Sequence, residues 1–161
     1  MSVSRALEGD HQLARLLQVG MVLEELVEAR AYKHAREMDE NLDGETEALL
    51  KTAAAESADH RARLEALVDE LEAESIPFDQ VEALVEAQYG QTKPEDFDGV
   101  LYDQLCNEET AYKFYDDVIT ALEGAEAAFS VDRERVLAVL RGLREEEAEG
   151  VERVTELMEE R

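Results

Sequence analysis

Four stretches of this chain carry an apolar residue every three or four positions, and each series breaks near its middle. That spacing marks one face of an α-helix. The first series is Leu17, Met21, Glu24, Glu28, Ala31, Ala35, Met38. The second is Leu50, Ala53, Ser57, His60, Leu64, Leu67, Leu71. The third is Leu101, Gln104, Glu108, Ala111, Tyr115, Val118, Leu122, and the fourth is Val136, Leu140, Leu143, Glu147, Gly150, Val154, Leu157. All four are apolar at both ends. Three turn an acid inward near the middle, and the remaining one turns His60 inward.

The punctuation between these series predicts the topology. The first helix runs from about Gly9 to Asn41, where Leu42-Asp43-Gly44 ends it and Asp43 can cap the next. The second runs from about Glu45 to Glu74. The segment 75-SIPFDQVEALVEAQYGQTKP-94 holds both prolines. Within it, 79-DQVE-82 has the form of a capping box opening a short helix that ends near Gly90. The third long helix starts near Pro94 and stops at Gly124, and Ser130 can cap the fourth. Tight connections make antiparallel hairpins, and the long linker can travel the length of a bundle. The expected fold is therefore all-α: an antiparallel four-helix bundle in a single domain. It comprises a hairpin over 9–74, a crossover with a short helix over 75–94, and a hairpin over 95–161. Aromatic residues at 6% and few glycines or prolines agree with it.

The interruptions also share a level. Glu28 and Ser57 each lie about 14 residues from the first turn, roughly 20 Å along a helix. Glu108 and Glu147 lie at similar distances from the second turn, so Glu28, His60, Glu108 and Glu147 should meet in one layer. Carboxylates buried together must protonate or be neutralised by a cation. Carboxylate oxygens with one imidazole suit iron or manganese, and zinc less specifically. The chain also reads as duplicated. Setting 28-EARAYKHA-35 on 108-EETAYKFY-115 matches Glu28 with Glu108 and Tyr32 with Tyr112. Setting 57-SADHRARLEAL-67 on 147-EAEGVERVTEL-157 matches Arg63 with Arg153 and Leu67 with Leu157.

At these residues the chain resembles the ferritin-like superfamily, and within it the rubrerythrin-like carboxylate proteins. That pattern has one Glu on helices one and three and Glu-x-x-His on helices two and four. The resemblance covers nearly the whole chain, with the crossover in the family's place. It implies Glu28 and Glu108 as the two single glutamates. His60 matches the histidine of helix two, with Ser57 where its glutamate belongs. Glu147 matches the glutamate of helix four, with Gly150 where its histidine belongs. Glu24, one turn before Glu28, can substitute, whereas Glu56 and Glu146 point about 100° away from the stripe. The implied metal ligands are thus Glu28, His60, Glu108, Glu147 and Glu24, holding one or two ions of iron, manganese or zinc. With Ser57 in place of one bridging acid, a single ion is easier to build than a pair.

The resemblance implies iron or manganese handling or oxidant defence. Any turnover would be that of a metal-dependent oxidoreductase, either ferroxidase or peroxide-reducing. The alternative is a non-catalytic scaffold whose layer survives as a metal-free hydrogen-bond network. Cys106 is the sole cysteine, so no rubredoxin-type iron centre accompanies the domain. The chain has 41 acidic against 16 basic residues, a net charge of −25. That charge disfavours nucleic acid and anionic membranes as partners and suggests a salt-rich cytoplasm. No apolar run approaches the roughly 20 residues of a membrane span, and no signal peptide is legible. His11 and His34 fall off the stripes and should be exposed. Tyr32, Tyr112 and Tyr115 read as packing residues. Leu13, Leu16 and Leu23 are expected on the outer face of the first hairpin, where they could support a homodimer.

Overall fold

A computed structural model describes residues 7–37, 44–73 and 97–160. Among them are four α-helices and no strand: α1 Asp10–Glu37, α2 Gly44–Glu70, α3 Phe97–Glu123 and α4 Arg133–Glu159. The expected crossover over 75–94, its short helix and the Asp43 cap lie outside the described residues. The starts of α1 and α4 and the ends of α2 and α3 lie within a few residues of their sequence-derived bounds. The cap of α4 differs. Asp132, not Ser130, takes the cap position and accepts from the Glu134 amide. Ser130 instead donates its hydroxyl to Asp10 at the start of α1. Asp10 also accepts from the backbone amides of Ser130 and Glu72. One carboxylate therefore ties the start of α1 to the end of α2 and to the α3–α4 connection.

The helices pack as a bundle in which α1 contacts α2 and α3, and α4 contacts α2 and α3. Every described position of the second, third and fourth inward series is buried. The core they form is in pieces. The larger cluster gathers Leu13, Leu17, Leu64, Leu67, Tyr115, Val118, Leu122, Val136, Leu140 and Leu143 with their neighbours. Two smaller clusters hold the other side of the bundle. One is Ala31, Ala35, Leu50, Ala54 and Val100, and the other is Leu101, Val154 and Leu157. Between them lie the buried polar residues Glu24, Ser57, His60, Gln104, Glu108 and Glu147.

Three expectations are corrected. Leu13 and Leu23 are buried and Leu16 packs partly against the large cluster, so they form no outer apolar face. Leu13 stands one turn before Leu17 and so continues the inward stripe itself. Tyr115 is fully buried, but Tyr32 and Tyr112 are 49% and 38% exposed. Both stand one residue past an inward alanine, Ala31 or Ala111, hence about 100° off the buried face. His11 is exposed as expected, whereas His34 is buried and its Nε2 lies 2.8 Å from Asp103 Oδ2 on α3.

The two stretches that align within the chain share an ion-pair pattern. Arg63 on α2 donates to Glu146 on α4 at 2.6 Å, and Arg153 on α4 donates to Glu56 on α2 at 2.7 Å. The alignment that matches Arg63 with Arg153 also matches Glu56 with Glu146. Each helix therefore reaches across to the same place on its counterpart.

Two outcomes follow. Leu140 is fully buried in the large cluster, so Leu140→Ala should cost about 2–5 kcal/mol in chemical denaturation. The net charge of −25 makes self-repulsion a standing load on the fold. Raising salt from about 0.1 M to about 1 M shortens the screening length from about 10 Å to about 3 Å, and the melting temperature should rise.

Candidate metal centre

The polar layer draws residues from all four helices. His60 on α2 is the hub, at 2% exposure. Its Nδ1 lies 3.0 Å from Glu147 Oε1 on α4 and 3.3 Å from Glu24 Oε1 on α1. The Tyr115 hydroxyl on α3 donates to the same Glu24 oxygen at 2.7 Å. Glu24, His60 and Glu147 each offer a ligand atom, and these atoms all lie within 4.8 Å of one another.

Glu108 flanks this trio. Gln104, one turn earlier on α3, donates to Glu108 Oε1 at 2.8 Å, and Glu147 is a hydrogen-bond neighbour of Glu108. The Glu108 carboxylate fills the space that a side chain at position 150 would need. A Cβ on Gly150 would come within 2.5 Å of Glu108 Oε2. Gly150 therefore admits the acid of α3 to the layer.

Glu28 is not brought to the group. It is half-buried, and Arg61 on α2 donates to its Oε2 at 2.6 Å, holding it at the rim. Glu24 occupies the inward place instead, because the Tyr115 hydroxyl and the His60 ring receive it there. The substitute named from spacing thus stands in the centre, and the residue matched by family pattern stands outside it. Arg61 is the signal that distinguishes them: a cation on the neighbouring helix, level with Glu28. The role of Tyr115 was the least legible. Its place on the stripe predicted burial, but the partner of its hydroxyl depends on α1 facing α3.

Electrostatics explain what holds so many acids inside. Burial and the charges of Glu24 and Glu108 push the Glu147 carboxyl far above the ordinary carboxylate range, so it stays protonated. Burial alone pulls the His60 imidazole down, but its hydrogen bond to Glu24 and the charges of Glu24 and Glu146 outweigh that and raise it. Burial, with Glu24 and Glu147 nearby, likewise pushes the Tyr115 phenol well up, so it remains a donor. One Glu24 oxygen, Oε2, is buried without a hydrogen-bond partner among the described residues. An unpaired buried acceptor costs roughly 1–3 kcal/mol. Two carboxyls, one with an unpaired oxygen, and an imidazole nitrogen are a donor set suited to one divalent ion.

A second buried polar group lies where α1 meets α3. His34 contacts Asp103, and Arg30 donates to Asn107 Oδ1 at 2.8 Å. It contains one imidazole and one carboxylate, too few donors for a metal site. No protein-family model matches this chain, and no curated protein or solved structure is similar enough to count as a match.

In the metal-free protein the shifts of Glu147 and His60 act in one direction. Above about pH 4.5 the unfolded chain releases the Glu147 proton and the folded chain keeps it, so stability falls as pH rises. His60 adds stability below its unfolded value of 6.5, and that is lost as pH passes its raised folded value. The melting temperature of chelator-treated protein should therefore fall between about pH 5 and about pH 8. Glu147→Gln should flatten that slope and raise the melting temperature at the upper end, as read by circular dichroism. Gly150→Ala should gain up to about 1 kcal/mol of helix propensity and lose about 1–3 kcal/mol to overpacking. Its stability should thus fall by up to about 2 kcal/mol while Glu108 is driven out of the layer, which a side-chain carboxyl NMR spectrum would register.

Proposed function

We propose that this chain is a metal-binding, ferritin-like bundle whose core holds one ion, for iron or manganese handling or oxidant defence. The observation that carries this reading is the meeting of Glu24, His60 and Glu147 within 4.8 Å in the buried middle of the bundle. The helix contacts support two antiparallel hairpins. Asp10 at the start of α1 binds the end of α2, and Leu101 near the start of α3 packs with Leu157 near the end of α4.

The donor set favours one ion over two. Ser57 and Gly150 stand where further ligands would be needed, and Glu28 is engaged by Arg61. Glu24, His60 and Glu147 would hold the ion, with Glu108 beside them. A bound iron or manganese ion would supply Lewis-acid and redox chemistry. The chain's own contribution is positional. Tyr115 orients Glu24, Gln104 orients Glu108, and the apolar clusters on both sides exclude water. Ligation requires Glu147 to release its proton, so metal uptake should liberate acid.

A metal-free reading is favoured by a different observation. Tyr115, Glu24, His60 and Glu147 already form a continuous hydrogen-bonded chain. Such a network could serve a scaffold with no ion.

Two measurements separate the readings. Protein purified without chelator should carry about one equivalent of iron or manganese, and Glu147→Ala or Glu24→Ala should weaken uptake at least about tenfold. Equal metal content in wild type and both variants would sink the metal reading. EDTA should lower the wild-type melting temperature by several degrees, whereas an unchanged melt supports the scaffold.

A further inference from the structure

The outward side of His60 carries chemistry that the inner group leaves unused. The Nε2 atom is buried and has no hydrogen-bond partner among the described residues. It faces Glu146, whose Oε1 lies at 3.6 Å, too far for a hydrogen bond. Asp59, exposed and one residue earlier on α2, completes a trio with ligand atoms within 4.8 Å of one another. Two carboxylates and a buried ring nitrogen without a donor call for a positive partner.

A cation already stands at that rim. Arg63 Nη2 donates to Glu146 Oε2 at 2.6 Å and lies 2.8 Å from Asp59 Oδ2. The guanidinium balances both acids without satisfying the ring nitrogen. Its side chain is a third exposed and can swing into solvent. The other flank of the bundle supplies a comparison. There Arg153 and Glu56 make the matching pair, but Gly150 stands where His60 would be. The Arg–Glu pair therefore belongs to the scaffold on both flanks, and the outward-facing ring nitrogen belongs to one alone.

The inner acids accommodate the tautomer that frees Nε2. With the proton on Nδ1, Glu24 Oε1 at 3.3 Å accepts it, and the protonated Glu147 carboxyl still offers an oxygen at 3.0 Å. That tautomer turns the Nε2 lone pair toward Asp59 and Glu146. Metal-bound imidazoles commonly donate their other N–H to a carboxylate. Glu24 and Glu147 stand where those carboxylates would be.

We propose that Asp59, His60 Nε2 and Glu146 form an outer divalent-cation site, which a cation enters by displacing the Arg63 guanidinium. One imidazole nitrogen and two carboxylate oxygens suit zinc, cobalt(II), manganese(II) or iron(II). A neutral imidazole has one lone pair to give. A cation on Nε2 and a cation on Nδ1 therefore exclude each other, and His60 serves the surface or the core but not both at once. The outer site does not require the inner group to bind metal.

The test is a zinc titration of chelator-treated, ¹⁵N-labelled full-length protein, followed through the histidine side-chain nitrogens. These signals separate Nδ1 from Nε2 ligation, and the chain has only 3 histidines to assign. The His60 Nε2 signal should move in wild type. Asp59→Asn with Glu146→Gln should weaken that response at least about tenfold. Arg63→Ala should strengthen it several-fold, and this arm decides the matter if the double variant melts abnormally. Glu24→Gln with Glu147→Gln should weaken the Nε2 response without moving ligation to Nδ1. Ligation at Nδ1 alone, or an affinity unaltered by Asp59→Asn with Glu146→Gln or by Arg63→Ala, would overturn the outer site. An Nε2 response without uptake by the inner group would leave the outer site standing and defeat the function proposed above.

Discussion

The contact between His60 and the two carboxyls of Glu24 and Glu147 is the constraint to which the other features of the layer answer. Three ionisable groups inside a helical core are unfavourable unless each finds a partner or gives up its charge. The chain uses both routes. Tyr115 and His60 supply donors to Glu24, while Glu147 keeps its proton. Gln104 steadies Glu108, and Gly150 leaves it room. Remove the imidazole and the acids around it have no common donor.

The asymmetry of this arrangement shows against the chain's internal sequence match. Arg63 with Glu146 and Arg153 with Glu56 stand at matching positions as braces between α2 and α4. Within that frame the centre is unequal. α1 gives Glu24 where α3 gives Gln104 at the matching position, and α2 gives Ser57 and His60 where α4 gives Glu147 and Gly150. The result is one histidine with acids on two sides, in place of two equivalent half-sites.

Much of this was legible beforehand because it depends on helical periodicity. The series through Leu64, Leu122 and Leu140 predicted burial, and the common level of the interruptions predicted a layer. What periodicity does not contain is the rotation of each helix about its axis. Glu24 and Glu28 sit on one stripe and differ by about 40° of rotation. Only the placement of Arg61 and Tyr115 on neighbouring helices decides which turns inward. The burial of His34 is the same kind of fact, since it needs Asp103 to arrive from α3. Leu13 was misplaced although it stands one turn before Leu17 and continues the same stripe.

The layer divides the core unequally, and that has a consequence for motion. On one side lies one large cluster of leucines with Tyr115 and Phe114, and on the other two small ones, around Ala31, Ala35 and Ala54 and around Leu101 and Leu157. Local opening of a protein begins where the least apolar area is lost. Fraying of this bundle should therefore start at the alanine end and halt at the polar layer, which becomes the boundary between a breathing half and a persistent one. The acids would then meet solvent from one side only, while the leucine half keeps their spacing.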